Sequence, residues 1–135
     1  MDVWRGEQVA LIAALVLRHT PPDGTVGILG LTYKPGVDIT DESPGLKVAA
    51  MLARHRHGAP VVTFDPSGVT SKEHAFADTL AELVDLCATL LVATPWPDFQ
   101  ELQDMNLEGK TVVDLWGMFE DDELSCRYVR LGRGA

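Results

Sequence analysis

A lysine stands directly after a nearly unbroken apolar run. Val26, Ile28, Leu29 and Leu31, with only glycines between them, lead into Thr32-Tyr33-Lys34-Pro35-Gly36. Proline pushes the residue before it out of the helical region, so Lys34 sits on extended backbone just past the carboxyl end of a strand. Ligands of open α/β sheets bind at that end, and an ammonium suits an anionic one. The plainer alternative is a solvated loop lysine. Asp65 and Asp114 close two further apolar runs, where a carboxylate either contacts a ribose hydroxyl or caps its own loop. Trp96 and Phe99 either stack on a base or plug the core beneath their loop. His55 and His57 flank Arg56 at a basic helix end that the helix dipole favours, which makes them a capping cluster rather than a metal pair. Glu120 to Glu123 reads as a solvated acidic turn.

These residues need a scaffold, and the local signals supply one. The run from Val26 to Leu31 reads as a strand covered on both faces, hence central in a parallel sheet. Ser43 is the N-cap and Pro44 the first residue of the next helix, which carries Leu46, Ala49, Ala50 and Ala53 on one face and closes with Arg54-His55-Arg56-His57 before Gly58. Asp41 and Glu42 sit where they neutralise that helix's dipole. A second strand spans Val61 to Phe64 and ends at the turn Asp65-Pro66-Ser67-Gly68. Ser71 to Ala77 is polar and reads as a short helical turn. Thr79 to Leu86 is a better helix, with Thr79 and Glu82 at the spacing of a capping box. Thr89 to Ala93 and Lys110 to Leu115 are further buried strands, a short helix covers Asp98 to Gln103, and Arg127 to Leu131 suits an edge strand. Strand and helix alternate with short loops, which predicts a three-layer α/β/α, Rossmann-like open sheet of about five mostly parallel strands.

The first helix, Glu7 to Arg18, is unusual because Val9 to Leu17 is apolar all the way round. The sheet covers one side, and the second face calls for a partner subunit or an upstream segment. That apolar run is nine residues, against roughly 20 for a bilayer span, so no membrane span is expected. The chain has 135 residues, 46% of them hydrophobic, which suits one domain with a core of its own. Its net charge of −9 argues against nucleic acid, which demands a basic patch. Cys87 and Cys126 have no C-x-x-C spacing and no secretory signal accompanies them, so they read as reduced thiols of a cytoplasmic protein.

Four motifs in order carry a resemblance: Gly30-Leu31-Thr32-Tyr33-Lys34-Pro35-Gly36-Val37-Asp38 with Glu42-Ser43-Pro44, then Phe64-Asp65-Pro66, then Ala93-Thr94-Pro95-Trp96-Pro97-Asp98-Phe99, then Val112-Val113-Asp114. From about Gly24 to Phe119 the chain resembles the C-terminal domain of the UDP-glucose/GDP-mannose dehydrogenase family. The resemblance implies an NAD-dependent enzyme that oxidises the C6 hydroxyl of a nucleotide sugar to a carboxylate. It also implies that the catalytic cysteine and the half that binds most of the NAD lie outside this chain. Gly27 and Gly30 do not make G-x-G-x-x-G, and neither cysteine falls at the nucleophile's place. On this view residues 1–20 are the tail of a central helix that pairs subunits, residues 21–135 are the nucleotide-sugar-binding domain, and the chain alone is an inert fragment.

By the same resemblance Lys34 matches a lysine that reaches the substrate, and Tyr33 an aromatic beside it. Two positions depart from the pattern. Asp41 stands where the family commonly has an arginine near the cofactor pyrophosphate. At an effective dielectric of about 20 a like-charge contact near ~6 Å costs on the order of 3 kcal/mol, so Asp41 is a doubtful cofactor contact. Leu115, Trp116 and Gly117 follow Asp114 where a basic residue would approach the substrate. The alternative reading is a non-catalytic, Rossmann-like module that binds a nucleotide or serves in assembly.

Overall fold

The computed structural model describes residues 6–32, 43–54 and 59–131. Six strands form one sheet: β1 Val26–Leu29, β2 Val61–Phe64, β3 Ala75–Phe76, β4 Thr89–Val92, β5 Thr111–Asp114 and β6 Arg127–Arg130. Their order across the sheet is β3-β2-β1-β4-β5-β6, and every pairing is parallel. All four residues of β1, of β4 and of β5 are buried, as the unbroken apolar runs require of strands covered on both faces. β6 is the predicted edge. The sixth strand was not expected: Ala75–Phe76 lies where a helical turn is read from sequence. Two residues carry no periodicity, and the strand exists because Thr63 reaches across to it. The Thr63 hydroxyl donates to the Ala75 carbonyl at 3.0 Å, and Ala77 N–H donates back to the Thr63 carbonyl at 2.9 Å.

Helices α1 Gly6–Arg18 and α2 Pro44–Arg54 pack together on one face, and α3 Leu80–Leu86 and a 3-10 helix, Pro97–Asp104, cover the other. The α3 cap is the box read from sequence, with Thr79 Oγ1 accepting from Glu82 N–H at 3.1 Å. The Glu82 carboxylate reaches back to Asp78 N–H at 2.8 Å, one residue earlier than the usual partner. In α1, Val9, Ile12, Ala13 and Val16 join the core, while Ala10, Leu11 and Ala14 on the second face are exposed. Leu11 is 71% exposed.

In α2 the buried face differs from the expectation. Ser43 is the N-cap, its Oγ accepting from Leu46 N–H at 3.3 Å. The residues turned inward are Pro44, Gly45, Val48, Ala49 and Leu52, while Ala53 is exposed. Gly45 causes the rotation. A Cβ there would lie 2.3 Å from the Gly30 carbonyl oxygen and 3.0 Å from Ile28 Cγ2, so helix and strand approach closer than any side chain allows. The basic cluster at His55 and His57 lies outside the described residues.

Glycine-to-alanine inside a helix normally stabilises by about 1 kcal/mol. At this contact the sign reverses: Gly45→Ala is predicted to destabilise the chain by about 2 kcal/mol, the range of overpacked cores. Urea denaturation measures it, and a variant as stable as the parent would refute the close approach.

Candidate functional site

The chain order places a topological switch point between β1 and β4. The connection from β1 leads outward through α2 to β2, whereas β4 is followed by β5 on its other side. A crevice opens outside the carboxyl ends of two such strands, and ligands of open α/β sheets bind there. The residues just past those ends are Gly30, Leu31 and Thr32 after β1, and Ala93 and Thr94 after β4. All five are buried.

They are tied together by side chains. Asp65, at the end of β2 and 3% exposed, accepts from Leu31 N–H at 2.7 Å and Thr32 N–H at 3.0 Å through one oxygen, and from Ser67 N–H at 2.8 Å through the other. Thr94 Oγ1 donates to the Thr32 carbonyl at 2.9 Å. Gly30, at φ +104°, has no space for a side chain, since a Cβ would lie 2.5 Å from that of Thr94. The indole N–H of Trp96 donates to Thr32 Oγ1 at 3.2 Å, and that of Trp116 to the Ala93 carbonyl at 2.8 Å. Both tryptophans are half-buried. Phe99 is fully buried, its ring tilted against Phe64 at 6.5 Å, and so plugs the core rather than facing a ligand.

Asp114 performs a similar task at the end of β5. It is fully buried, and one oxygen accepts from Trp116 N–H at 2.9 Å and Gly117 N–H at 3.0 Å. The other accepts from Met118 N–H and from the Tyr128 hydroxyl, each at 2.6 Å. A carboxylate has about four acceptor sites, and these donors occupy them. Of the two roles open to Asp65 and Asp114 from sequence, the structure displays loop capping in both. Tyr128 stands on the edge strand β6, edge-on to Phe119 with ring centres 6.1 Å apart, and the Arg130 guanidinium lies 5.7 Å from its ring centre. Burial and the bond to Asp114 push the Tyr128 phenol up to about 12.

Tyr33, Lys34 and Asp41 fall in residues 33–42, outside the described residues. Their segment leaves the chain at Thr32 and rejoins it at Ser43, one end at the crevice and the other at the first turn of α2. Sequence reading missed Thr32, Thr94 and Tyr128. Thr94 was findable as the first polar residue past a buried strand, but Tyr128 gives no signal on a polar edge strand. It also treated Trp116 only as a departure from a pattern.

The glycines in and just past β1 do not fit a dinucleotide cradle. A Cβ on Gly27 would lie 2.5 Å from Leu83 Cδ2 and 3.0 Å from Cys87 Sγ, so Gly27 makes room for α3, and Gly30 makes room for Thr94. Burial raises the Cys87 thiol to about 11, which keeps it protonated and unreactive at neutral pH. Among the described residues no group of His, Cys, Asp or Glu could hold a metal ion, and no helix is long and apolar enough to cross a membrane. A groove lined by Ala14, Leu17, Arg18, Pro21 and Ala59 lies at the opposite, amino edge of the sheet.

Residues 27–121 match the family model described as the UDP-glucose/GDP-mannose dehydrogenase family, UDP binding domain. A UDP-glucose 6-dehydrogenase of Rickettsia typhi is 28% identical over 94% of this chain and 32% of its own length. The UDP-glucose 6-dehydrogenase AglM of Haloferax volcanii is 32% identical over 77% of this chain and 25% of its own. Among solved structures, a UDP-glucose dehydrogenase of Pyrobaculum islandicum superposes with a TM-score of 0.68 at 26% identity, covering 92% of this chain and 29% of that one. The chain thus spans between a quarter and a third of the length of these relatives.

The capping of Asp114 is testable through Tyr128. Asp114→Asn leaves burial in place but removes the carboxylate that adds to it in raising the phenol, so the Tyr128 pKa should fall part of the way from about 12 toward 10.0, read by ultraviolet titration. A folded-state pKa raised above the unfolded one gives stability that is complete below pH 10.0 and lost as pH rises toward about 12. The parent should lose stability across that window and Asp114→Asn should lose less. An unchanged Tyr128 titration in the variant would contradict the hydrogen bond.

Proposed function

Given that this chain belongs to the UDP-glucose/GDP-mannose dehydrogenase family and matches its UDP-binding domain, we propose that it holds the nucleotide of a UDP-sugar at the β1–β4 crevice. The observation that carries this reading is the coincidence of that domain match with a built switch point, where four side chains, Asp65, Thr94, Trp96 and Trp116, fix the ends of β1 and β4.

On this reading the chain is the C-terminal part of an NAD-dependent nucleotide-sugar 6-dehydrogenase. The whole protein oxidises the sugar's C6 hydroxyl to a carboxylate, and the isolated chain is inactive. NAD belongs mainly to the upstream half, in keeping with the packing roles of Gly27 and Gly30 here. Lys34, with Tyr33 beside it, reaches the substrate's diphosphate from a segment whose first anchor is Thr32 at the crevice. The exposed face of α1, around Leu11, pairs two subunits or meets the upstream domains. Such an enzyme works in the cytoplasm and feeds polysaccharide biosynthesis. The acidic Asp41, where the resemblance leads one to expect an arginine, supports a second reading, a non-catalytic Rossmann-like module that binds a nucleotide or serves in assembly.

Titrating the isotope-labelled chain separates these possibilities. UDP and a UDP-sugar should shift the amides of Gly30, Leu31, Thr32 and Thr94, NAD alone should not, and Lys34→Ala should weaken UDP on the order of tenfold, the worth of one charge-assisted hydrogen bond. A response to NAD with none to UDP would contradict the first reading, and silence toward all three ligands at millimolar concentration would favour the second.

A further inference from the structure

Residues 115–119 form no helix or strand of their own. Four of their backbone N–H groups are nevertheless taken by two side chains: those of Trp116, Gly117 and Met118 donate to Asp114, and that of Phe119 donates to the Tyr128 hydroxyl at 3.3 Å. Asp114 directly precedes the loop. Tyr128 comes from β6, at the edge of the sheet, and its hydroxyl donates to Asp114 at 2.6 Å. From there the loop reaches inward, because Leu115 N–H donates to the Val92 carbonyl at 3.2 Å and the Trp116 indole N–H to the Ala93 carbonyl at 2.8 Å, both at the end of β4. From this chain of contacts we propose that Tyr128 is a positioning residue for the nucleotide site, holding the loop after β5 against the end of β4 from the edge of the sheet. That role rests on the nucleotide reading above, and Tyr128 touches no ligand in it.

Geometry and charge give the hydroxyl its task. A phenol has one proton, and of the two acceptors beside it the Asp114 carboxylate, at 2.6 Å, is closer than the Phe119 carbonyl, at 3.1 Å. A charged acceptor also makes the stronger bond. The Phe119 carbonyl has another donor in the Arg130 guanidinium. The hydroxyl thus donates to Asp114 while it accepts from Phe119 N–H, and so bridges the start of the loop to its end. Its ring is held in turn: Phe119 meets it edge-on with ring centres 6.1 Å apart, and the parallel pairing of Tyr128 with Val112 fixes its backbone. Without the hydroxyl, Phe119 N–H loses its acceptor and Asp114 loses a donor. Polar groups left unpaired away from water are costly, so the loop shifts to satisfy them. Its other end is tied to β4 through Leu115 and Trp116, and the shift is therefore felt at the end of β4.

Two variants of the same strand separate positioning from plain stability. Tyr128→Phe removes the hydroxyl and keeps the ring, whereas Val129→Ala weakens β6 from its other face, where Val129 packs against the cluster under α1 and α2. Both should lower the urea midpoint. Only Tyr128→Phe should move the nuclear magnetic resonance signal of the Trp116 indole N–H, assigned by its loss in Trp116→Phe. Only Tyr128→Phe should weaken UDP binding, on the order of fivefold, the net worth of one hydrogen bond. Equal weakening by both variants, or weaker UDP binding with an unmoved Trp116 signal, would reduce Tyr128 to a stabiliser of its strand and overturn the proposal. If Tyr128→Phe binds UDP as the parent does, the positioning role is refuted and the nucleotide reading stands. If the parent itself binds no UDP, the two fall together.

Discussion

The carboxyl edge of this sheet depends on a contact that no side chain could survive. The first turn of α2 rests on the backbone past β1, where a Cβ on Gly45 would come within 2.3 Å of the Gly30 carbonyl oxygen. Gly30 in turn makes way for Thr94, so α2, β1 and β4 meet where neither glycine leaves room for a side chain. That approach sets the direction in which the chain leaves β1. It brings Thr32 within reach of Thr94 and Trp96, and Leu31 and Thr32 within reach of Asp65. Closeness here is enforced by close packing, and the hydrogen bonds then select one arrangement within it.

Polar groups brought together in this way must be satisfied, and the two buried carboxylates show how. Asp65 and Asp114 stand at equivalent ends of β2 and β5, on either side of the central pair, and each accepts from the backbone of the loop that follows. Asp65 also accepts from the end of β1. A buried carboxylate without donors would be costly, so each is evidence that its loop is held in one conformation. Leu115 to Phe119 receives a second restraint from the edge strand, through the Tyr128 hydroxyl. The result is a rim cross-tied by hydrogen bonds from its own side chains.

How much of this was legible in the sequence follows from the range of each interaction. The buried strands and the helix boundaries at Ser43, Thr79 and Arg18 are set by neighbours within a few residues, and they stand where periodicity and capping residues place them. The two-residue strand Ala75–Phe76 has no period to read and depends on Thr63, twelve residues earlier. The buried face of α2 was misassigned for a related reason. A glycine scores as a poor core residue until a strand backbone is known to lie beneath it. At the site, the motifs drew attention to Lys34 and the two aspartates. The bonds from Trp96 to Thr32 and from Trp116 to Ala93, which span 64 and 23 residues, are set by the fold and not by spacing.

The account's central claim is that the carboxyl edge between β1 and β4 receives the nucleotide. Hydrogen exchange of the chain with and without UDP tests it most directly, because the edges of one small sheet are compared in one experiment. The account predicts slower exchange at Leu31, Thr32 and the amides following Ala93 and Asp114, with the amino edge around Thr20 and Ala59 unchanged. Protection confined to the amino edge would contradict it.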